Sequence, residues 1–254
     1  MNGETAAGNG HVVATGTSHS GSYEEFLHLD ELFAACQQVP DHPDGRFFVM
    51  AHQAFELWFE LLLHELEQAR DDLLAERVEA AQYRLRRVVA VDRLLLAQLD
   101  TLTTISPQQF AGLRPSLGTA SGLESTRFRE IELLSGLVGR HLPTTVASQP
   151  RVRRRRQEPT LWDAYRKLVR RRGFAEPADV VTCDHRSWEL TELAEALLDH
   201  DEAWVMWRVR HAVVVERIIG HQPGTGGSTG VGYLRSRRDD RFFPDLWQAR
   251  TRLR

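Results

Sequence analysis

The chain has 254 residues, with 32 Lys and Arg against 35 Asp and Glu, and the formal charge of -3 excludes a global electrostatic drive toward nucleic acid or a membrane surface. Hydrophobic residues make up 42% and charged residues 26%, which excludes a wholly disordered chain and leaves enough apolar material for a sizeable core. The longest apolar runs, such as Leu61 to Leu63 and Val213 to Val215, fall far short of the ~20 residues of a membrane span. Only Cys36 and Cys183 are present, without a CxxC. That argues against a disulfide scaffold or a Cys-based zinc site, and a reducing cytoplasmic location is the simplest expectation.

Residues 1–21 are mostly Gly, Thr, Ser, Ala and His and are expected to form a flexible, disordered N-terminal arm, because they bury too little to offset ordering. No basic segment followed by an apolar stretch supports a secretory signal there. Ser22-Tyr23-Glu24-Glu25 reads as a capping box, and Tyr23, Phe26, Leu27, Leu29, Leu32 and Phe33 continue it as a helical stripe. His42-Pro43-Asp44-Gly45 breaks the chain. A long helix is expected over about 46–75, apolar around more than half its circumference and therefore enclosed by neighbours. A third helix runs through Val88, Val91, Leu95 and Leu99 to about Thr103.

Ser106-Pro107-Gln108-Gln109 is a strong start signal, with Ser as N-cap and Pro in the first turn. Another helix is expected over 124–137. Residues 141–158, with Pro143, Pro150 and the basic run Arg151 to Arg156, read as a linker. Helical periodicity returns over 161–169 and 188–219, Gly224 to Gly230 ends it, and Pro244 opens a last short helix. The class is all-α, with residues 22–254 expected as one helical domain and a variable excursion at about 141–185.

Several residues have two readings. Gly224 to Gly230 follows a helix and lacks P-loop or GxGxxG spacing, so it is either a helix stop or a loop approaching a ligand, with Thr225 and Ser228 hydroxyls as donors. His52 lies among apolar residues one turn after Phe48; it is a core histidine or a polar anchor in an aromatic pocket. His211 is flanked by Arg208, Arg210 and Arg217. It is a core or pairing residue, or the single imidazole that a five-coordinate heme iron needs, with cations nearby for the propionates. Zinc patterns fail, since His64-Glu65-Leu66-Glu67-Gln68 is not HExxH. Arg114, four residues after Phe110, shares its pocket or lies on the surface. The Arg151 to Arg156 run lacks interleaved aromatics and reads as a solvated linker before a nucleic-acid patch.

The assembled strings go further. Tyr23-Glu-Glu-Phe-Leu-His-Leu-Asp30, His52-Gln-Ala-Phe-Glu-Leu-Trp58 and Ser121-Gly-Leu-Glu-Ser-Thr-Arg-Phe-Arg129 occur in order. Trp207-Arg-Val-Arg-His211, Glu216-Arg-Ile-Ile-Gly220, Gly224-Thr-Gly-Gly-Ser-Thr-Gly230 and Phe242-Phe-Pro-Asp-Leu-Trp247 follow them. Together they resemble the heme-dependent tryptophan 2,3-dioxygenase family over residues 22–250, apart from about 141–185.

The resemblance implies a helical bundle enclosing one heme b (iron protoporphyrin IX) per subunit. It implies His211 as proximal iron ligand, with Trp207, Ser121 and Gly122 beside the heme, and His52 as the distal histidine meeting the indole N–H. Phe48 and Phe110 become aromatic walls, Arg114 the anchor of the substrate carboxylate, and Thr225 part of the loop over the amino-acid end. Tyr23, Phe26 and Leu27 match a helix that reaches a neighbouring subunit's pocket, so a homotetramer is implied. The implied reaction inserts O2 across the indole C2–C3 bond of L-tryptophan to give N-formylkynurenine, as in tryptophan catabolism by the kynurenine pathway.

Two departures from the family pattern stand out. Pro115 follows Arg114, and proline disfavours a helical backbone at the residue before it. Leu123-Glu124 puts a charge beside the expected heme edge. They motivate an alternative, a heme monooxygenase of tryptophan or a substituted tryptophan in a biosynthetic pathway. A helical nucleic-acid or regulatory protein using Arg151 to Arg156 is the contrasting class. No nucleic-acid or membrane partner is expected under the leading reading.

Overall fold

The computed structural model describes residues 21–139, 142–182 and 188–253, so the expected N-terminal arm lies, but for Gly21, outside the described residues. The chain divides into two units, with the boundary after Gln38.

The first unit contains α1 (Tyr23–Phe26) and α2 (Leu29–Ala35). Ser22 forms the anticipated capping box: its hydroxyl accepts from the Glu25 N–H at 3.3 Å, and Glu25 Oε2 accepts from the Ser22 N–H at 2.8 Å. His28, in a left-handed conformation, turns the chain between the two helices. No residue of either helix is buried, and Tyr23, Phe26 and Leu27 are exposed.

The second unit is all-helical among its described residues. Its frame is α3 (Gly45–Leu74), α4 (Val78–Leu102) and, later in the chain, a 32-residue helix over Trp188–Ile219. Between them come α5 (Pro107–Leu113), α6 (Thr126–Ser135), α7 (Thr144–Ala147), α8 (Pro150–Arg155), α9 (Leu161–Arg171) and α10 (Pro177–Thr182). The long helix is then α11, followed by α12 (Val231–Ser236) and α13 (Pro244–Ala249). α4 packs against both α3 and α11, while α6 and α9 cover α3. Leu62, Leu66 and Leu73 of α3, Leu85, Val88 and Leu99 of α4, and Leu193 and Leu197 of α11 fill the centre. Each fully buried side chain of this kind contributes roughly 1.5–3 kcal/mol relative to exposure. α3 is less enclosed than its composition suggests, because Met50 and Leu57 remain exposed on one stripe.

Two buried polar clusters fix α11. The Asp92 carboxylate accepts from His200 Nδ1–H at 2.7 Å and from Trp204 Nε1–H at 2.9 Å, while His200 Nε2 lies 2.9 Å from Ser135 Oγ. This is the order of a nucleophilic triad, but all three members are sealed in the core, so the set ties α4, α6 and α11 together. One residue on, Asp201 Oδ2 accepts from the main-chain N–H groups of Phe242 and Phe243 and from Trp247 Nε1–H, seating the C-terminal segment on α11.

The expected linker at 141–158 is instead α7 and α8. Val146 and Val152 bury against Leu133 and Leu142. The basic run is only partly solvated: Arg153, Arg154 and Arg156 are exposed, whereas Arg155 is buried, pairs with Glu67, donates to Glu158 at 2.6 Å and lies 3.6 Å from Glu130. Arg151 donates to Glu130 at 2.8 Å. Glu67 and Glu130 come from α3 and α6, outside this segment, and a buried arginine is retained when such partners meet it.

Candidate active site

α3 enters the site with Phe48, His52, Phe55 and Phe59, spaced so that one face of the helix carries all four. α5 opens as anticipated, with Ser106 Oγ accepting from the Gln109 N–H and Pro107 in the first turn, and its end supplies Phe110 and Arg114. The 121–125 segment brings Ser121, Gly122 and Leu123; α6 brings Phe128, Arg129 and Glu132; α11 brings Trp207, Arg208 and His211. Thr225 and Ser228 of the glycine-rich loop, Tyr233 of α12 and Arg237 just after it complete a cavity of about 300 Å³. Nine of the anticipated site residues thus meet in one place: Phe48, His52, Phe110, Arg114, Ser121, Gly122, Trp207, His211 and Thr225. Tyr23, Phe26 and Leu27 belong to the first unit.

Rings run along the cavity in sequence. Phe110 lies 6.0 Å from Phe48, Phe48 4.1 Å from His52, His52 6.4 Å from Phe55, Phe55 6.5 Å from Trp207, and Trp207 4.7 Å from His211. The wall is therefore aromatic from the loop side to His211.

His52 Nδ1 lies 2.7 Å from the Phe48 carbonyl oxygen. A carbonyl only accepts, so Nδ1 carries the hydrogen and the neutral ring presents a bare Nε2. The ring is exposed by area because it faces the cavity, yet enough protein surrounds it for desolvation to lower its pKa below 6.5, against the Phe48 bond and Glu56. Burial, joined by a smaller contribution from the neighbouring His52 imidazole, pushes His211 down to about 4. Both rings are neutral at pH 7. The sign gives a prediction: a bare Nε2 is present above the lowered His52 pKa and lost as pH falls through it. The acidic limb of kcat/KM should lie below pH 6.5, and a limb above that value would contradict the lowered His52.

The arginines are arranged differently from the sequence expectation. Of the three flanking His211, only Arg208 lines the cavity; Arg210 pairs with Asp100 at 2.7 Å, and Arg217 points elsewhere on the exposed side of α11. Arg129 and Arg237 join Arg208 instead. Glu132 accepts from Arg129 at 2.7 Å and sits 3.5 and 3.6 Å from Arg208 and Arg237, while Asp240 pairs with Arg237 at 3.1 Å. Three cations thus face two carboxylates. Sequence reading missed Arg129, Glu132, Tyr233 and Arg237. The available signal was the Arg129-Glu130-Ile131-Glu132 string, charged residues set between Phe128 and Leu133-Leu134 on one helix.

Neither departure from the family pattern disturbs the lining. Arg114 keeps a helical backbone (φ -53, ψ -42) despite Pro115, held by its N–H bond to the Phe110 carbonyl. Glu124 is exposed and does not line the cavity.

The lining has the chemistry to hold a macrocyclic iron. Among the described residues no group of three or more His, Cys, Asp or Glu is placed to hold a metal ion. A lone neutral imidazole therefore suits an iron whose equatorial ligands come with it. A Cβ built on Gly122 meets nothing within 4 Å, leaving room beside the backbone. Trp207 Nε1–H and Arg208 Nε–H are buried without a protein acceptor, so donors remain for an anionic group. The residues fit.

Comparison with known proteins decides the relationship. The family profile described as Tryptophan 2,3-dioxygenase matches residues 8–146 and 175–253. This chain belongs to the tryptophan 2,3-dioxygenase family. It is 41% identical over 252 residues to a protein of that name from a Nocardioides species, covering 91% of this chain and 94% of the relative. Namesakes from Bacillus thuringiensis and Cupriavidus necator are 35% and 36% identical, each over 91% of this chain and 92% and 88% of their own lengths. The stretch skipped by the tryptophan 2,3-dioxygenase profile, 147–174, contributes nothing to the cavity.

Proposed function

We infer that the chain is a heme-dependent dioxygenase that inserts both atoms of O2 across the indole C2–C3 bond of L-tryptophan, giving N-formylkynurenine in tryptophan catabolism. The observation that carries this reading is the convergence, within a member of this family, of two neutral imidazoles, an aromatic wall and a guanidinium on one cavity.

One heme b per chain is part of the reading, with His211 holding the iron, Trp207, Ser121 and Gly122 beside the ring, and buried arginine N–H groups available to its carboxylates. When bound, ferrous heme supplies the position at which O2 is held for attack by the electron-rich indole. The chain's own residues do the rest. Phe48 and Phe110 enclose the indole; His52 Nε2 accepts its N–H; Arg114 grips the α-carboxylate with two charge-assisted bonds. Thr225 and its loop cover the amino-acid end. Fixing the ring in this way supplies proximity worth several kcal/mol, and the apolar lining excludes water. Both oxygen atoms remain in the product, so no external reductant is consumed.

A homotetramer with Tyr23, Phe26 and Leu27 serving a neighbouring subunit's pocket accords with the exposure of those residues, and with exposed Met50, Leu57, Met206 and Val213 on the second unit. No described helix is long and apolar enough to cross a membrane. A cytoplasmic location completes the proposal, resting on the chain's sparse use of cysteine. The monooxygenase alternative loses its motivation, because Pro115 leaves Arg114 on the cavity and Glu124 stays off it. The deciding experiment is mass spectrometry of the product from L-tryptophan under labelled O2. Two labelled atoms in a ring-opened product are expected; one label with the ring intact would overturn the dioxygenase.

A further inference from the structure

Arg114 already grips two oxygens. Its Nη1 donates to Gln222 Oε1 at 2.8 Å, and its Nη2 donates to the main-chain oxygen of Pro223. Two neighbouring oxygens set against the two outer nitrogens of a guanidinium reproduce the pattern in which a carboxylate is held. We propose that Gln222 is a specificity-determining residue: with Pro223 it is an internal stand-in for the substrate carboxylate, displaced from Arg114 when an amino acid binds. This rests on the reading of Arg114 as the carboxylate anchor.

Charge decides the exchange. The oxygens of Gln222 and Pro223 are neutral, whereas an α-carboxylate is anionic, and charge-assisted bonds are roughly twice as strong. A free amino acid can therefore take the guanidinium over. A decarboxylated amine brings nothing that competes, so the internal pair filters for the carboxylate. Glycine geometry carries the displacement into the loop. Gln222 and Pro223 lead directly into Gly224, whose N–H donates to the Ser228 carbonyl at 3.0 Å, and Thr225 Oγ1 donates to the Ala120 carbonyl at 2.7 Å. Gly230, at φ +61, passes so close that a Cβ there would stand 2.4 Å from the Gln222 main-chain oxygen. Both ends of the glycine-rich segment thus meet at Gln222, and moving it is felt along the whole loop.

The test uses the holoenzyme and measures dissociation constants for L-tryptophan and tryptamine from the change in heme absorption. Gln222→Ala removes a neutral competitor and should tighten L-tryptophan about fivefold, while Gln222→Glu presents a tethered carboxylate to Arg114 and should weaken it at least about tenfold. Tryptamine should change by less than about twofold in both variants, since it does not use the guanidinium. A merely structural role would move both compounds alike. Gln222 is exposed, and helicity by circular dichroism verifies that each variant is folded. Gln222→Glu with L-tryptophan affinity within about twofold of wild type, or equal losses for both compounds, overturns the proposal. Arg114→Ala separates the two levels. If it weakens L-tryptophan selectively while the Gln222 variants do nothing, the anchor stands and the stand-in falls. If it weakens both compounds equally, the anchor itself is wrong.

Discussion

Replacing His211 with alanine should yield a folded protein without stoichiometric heme and without turnover. The loss should be nearly complete because, among the described residues, no group of three or more His, Cys, Asp or Glu is placed to hold a metal ion in its stead. The helix should survive, since alanine is the best helix former and α11 is fixed by Asp92 and Asp201 a few turns earlier. Heme absorbance per chain measures the effect, with circular dichroism as the control. Added imidazole should restore part of the heme by standing in for the lost ring. A variant that keeps a five-coordinate histidine-type spectrum would show that another residue holds the iron.

The second large effect belongs to His52. Removing a positioned hydrogen-bonding or acid–base group typically lowers a rate by ~10²-fold or more, and His52→Ala should lose turnover on that scale while retaining heme. The bare Nε2 carries the effect: the Phe48 carbonyl fixes the hydrogen on Nδ1, and desolvation keeps the ring neutral, so an acceptor faces the cavity at pH 7. The enzyme should not be dead, because the indole N–H need not be fully deprotonated before oxygen attacks. Stopped-turnover assays beside a substrate titration measure both quantities. Unchanged turnover together with unchanged affinity would leave His52 only its packing against Phe48.

What could be read in the sequence was local. The caps at Ser22 and Ser106 write their own hydrogen bonds within three residues, and both form as anticipated. The long helices follow from apolar spacing, and the ordered motifs supply six of the nine anticipated residues on the cavity, with Phe48, Phe110 and Arg114 added by the resemblance they carry. What could not be read depended on partners far along the chain. Arg155 looks like one cation in a solvated run until Glu67 and Glu130 are placed beside it. Arg129, Arg208 and Arg237 reach a common carboxylate, Glu132, only after α6, α11 and α12 pack. α10 and α12, six residues each, are too short for periodicity to reveal. Met50 and Leu57 count as core in the pattern of α3 but lie exposed on this chain, because apolar spacing says which faces want cover and not what supplies it.

The two walls of the cavity differ in how they are anchored, and that difference bears on how new specificities could arise. The α11 wall is bolted to the interior by His200, Asp201 and Trp204, so His211 keeps its height and angle whatever happens at the surface. The opposite wall rests on a handful of bonds near solvent, among them Arg114 to Gln222 and Thr225 to Ala120. Variation in residues 221–229 can therefore reshape the entrance while leaving the seat of His211 untouched. A lineage, or an engineer, seeking to admit a bulkier or altered amino acid has a stretch of nine residues to rewrite, with the oxygen chemistry insulated behind it.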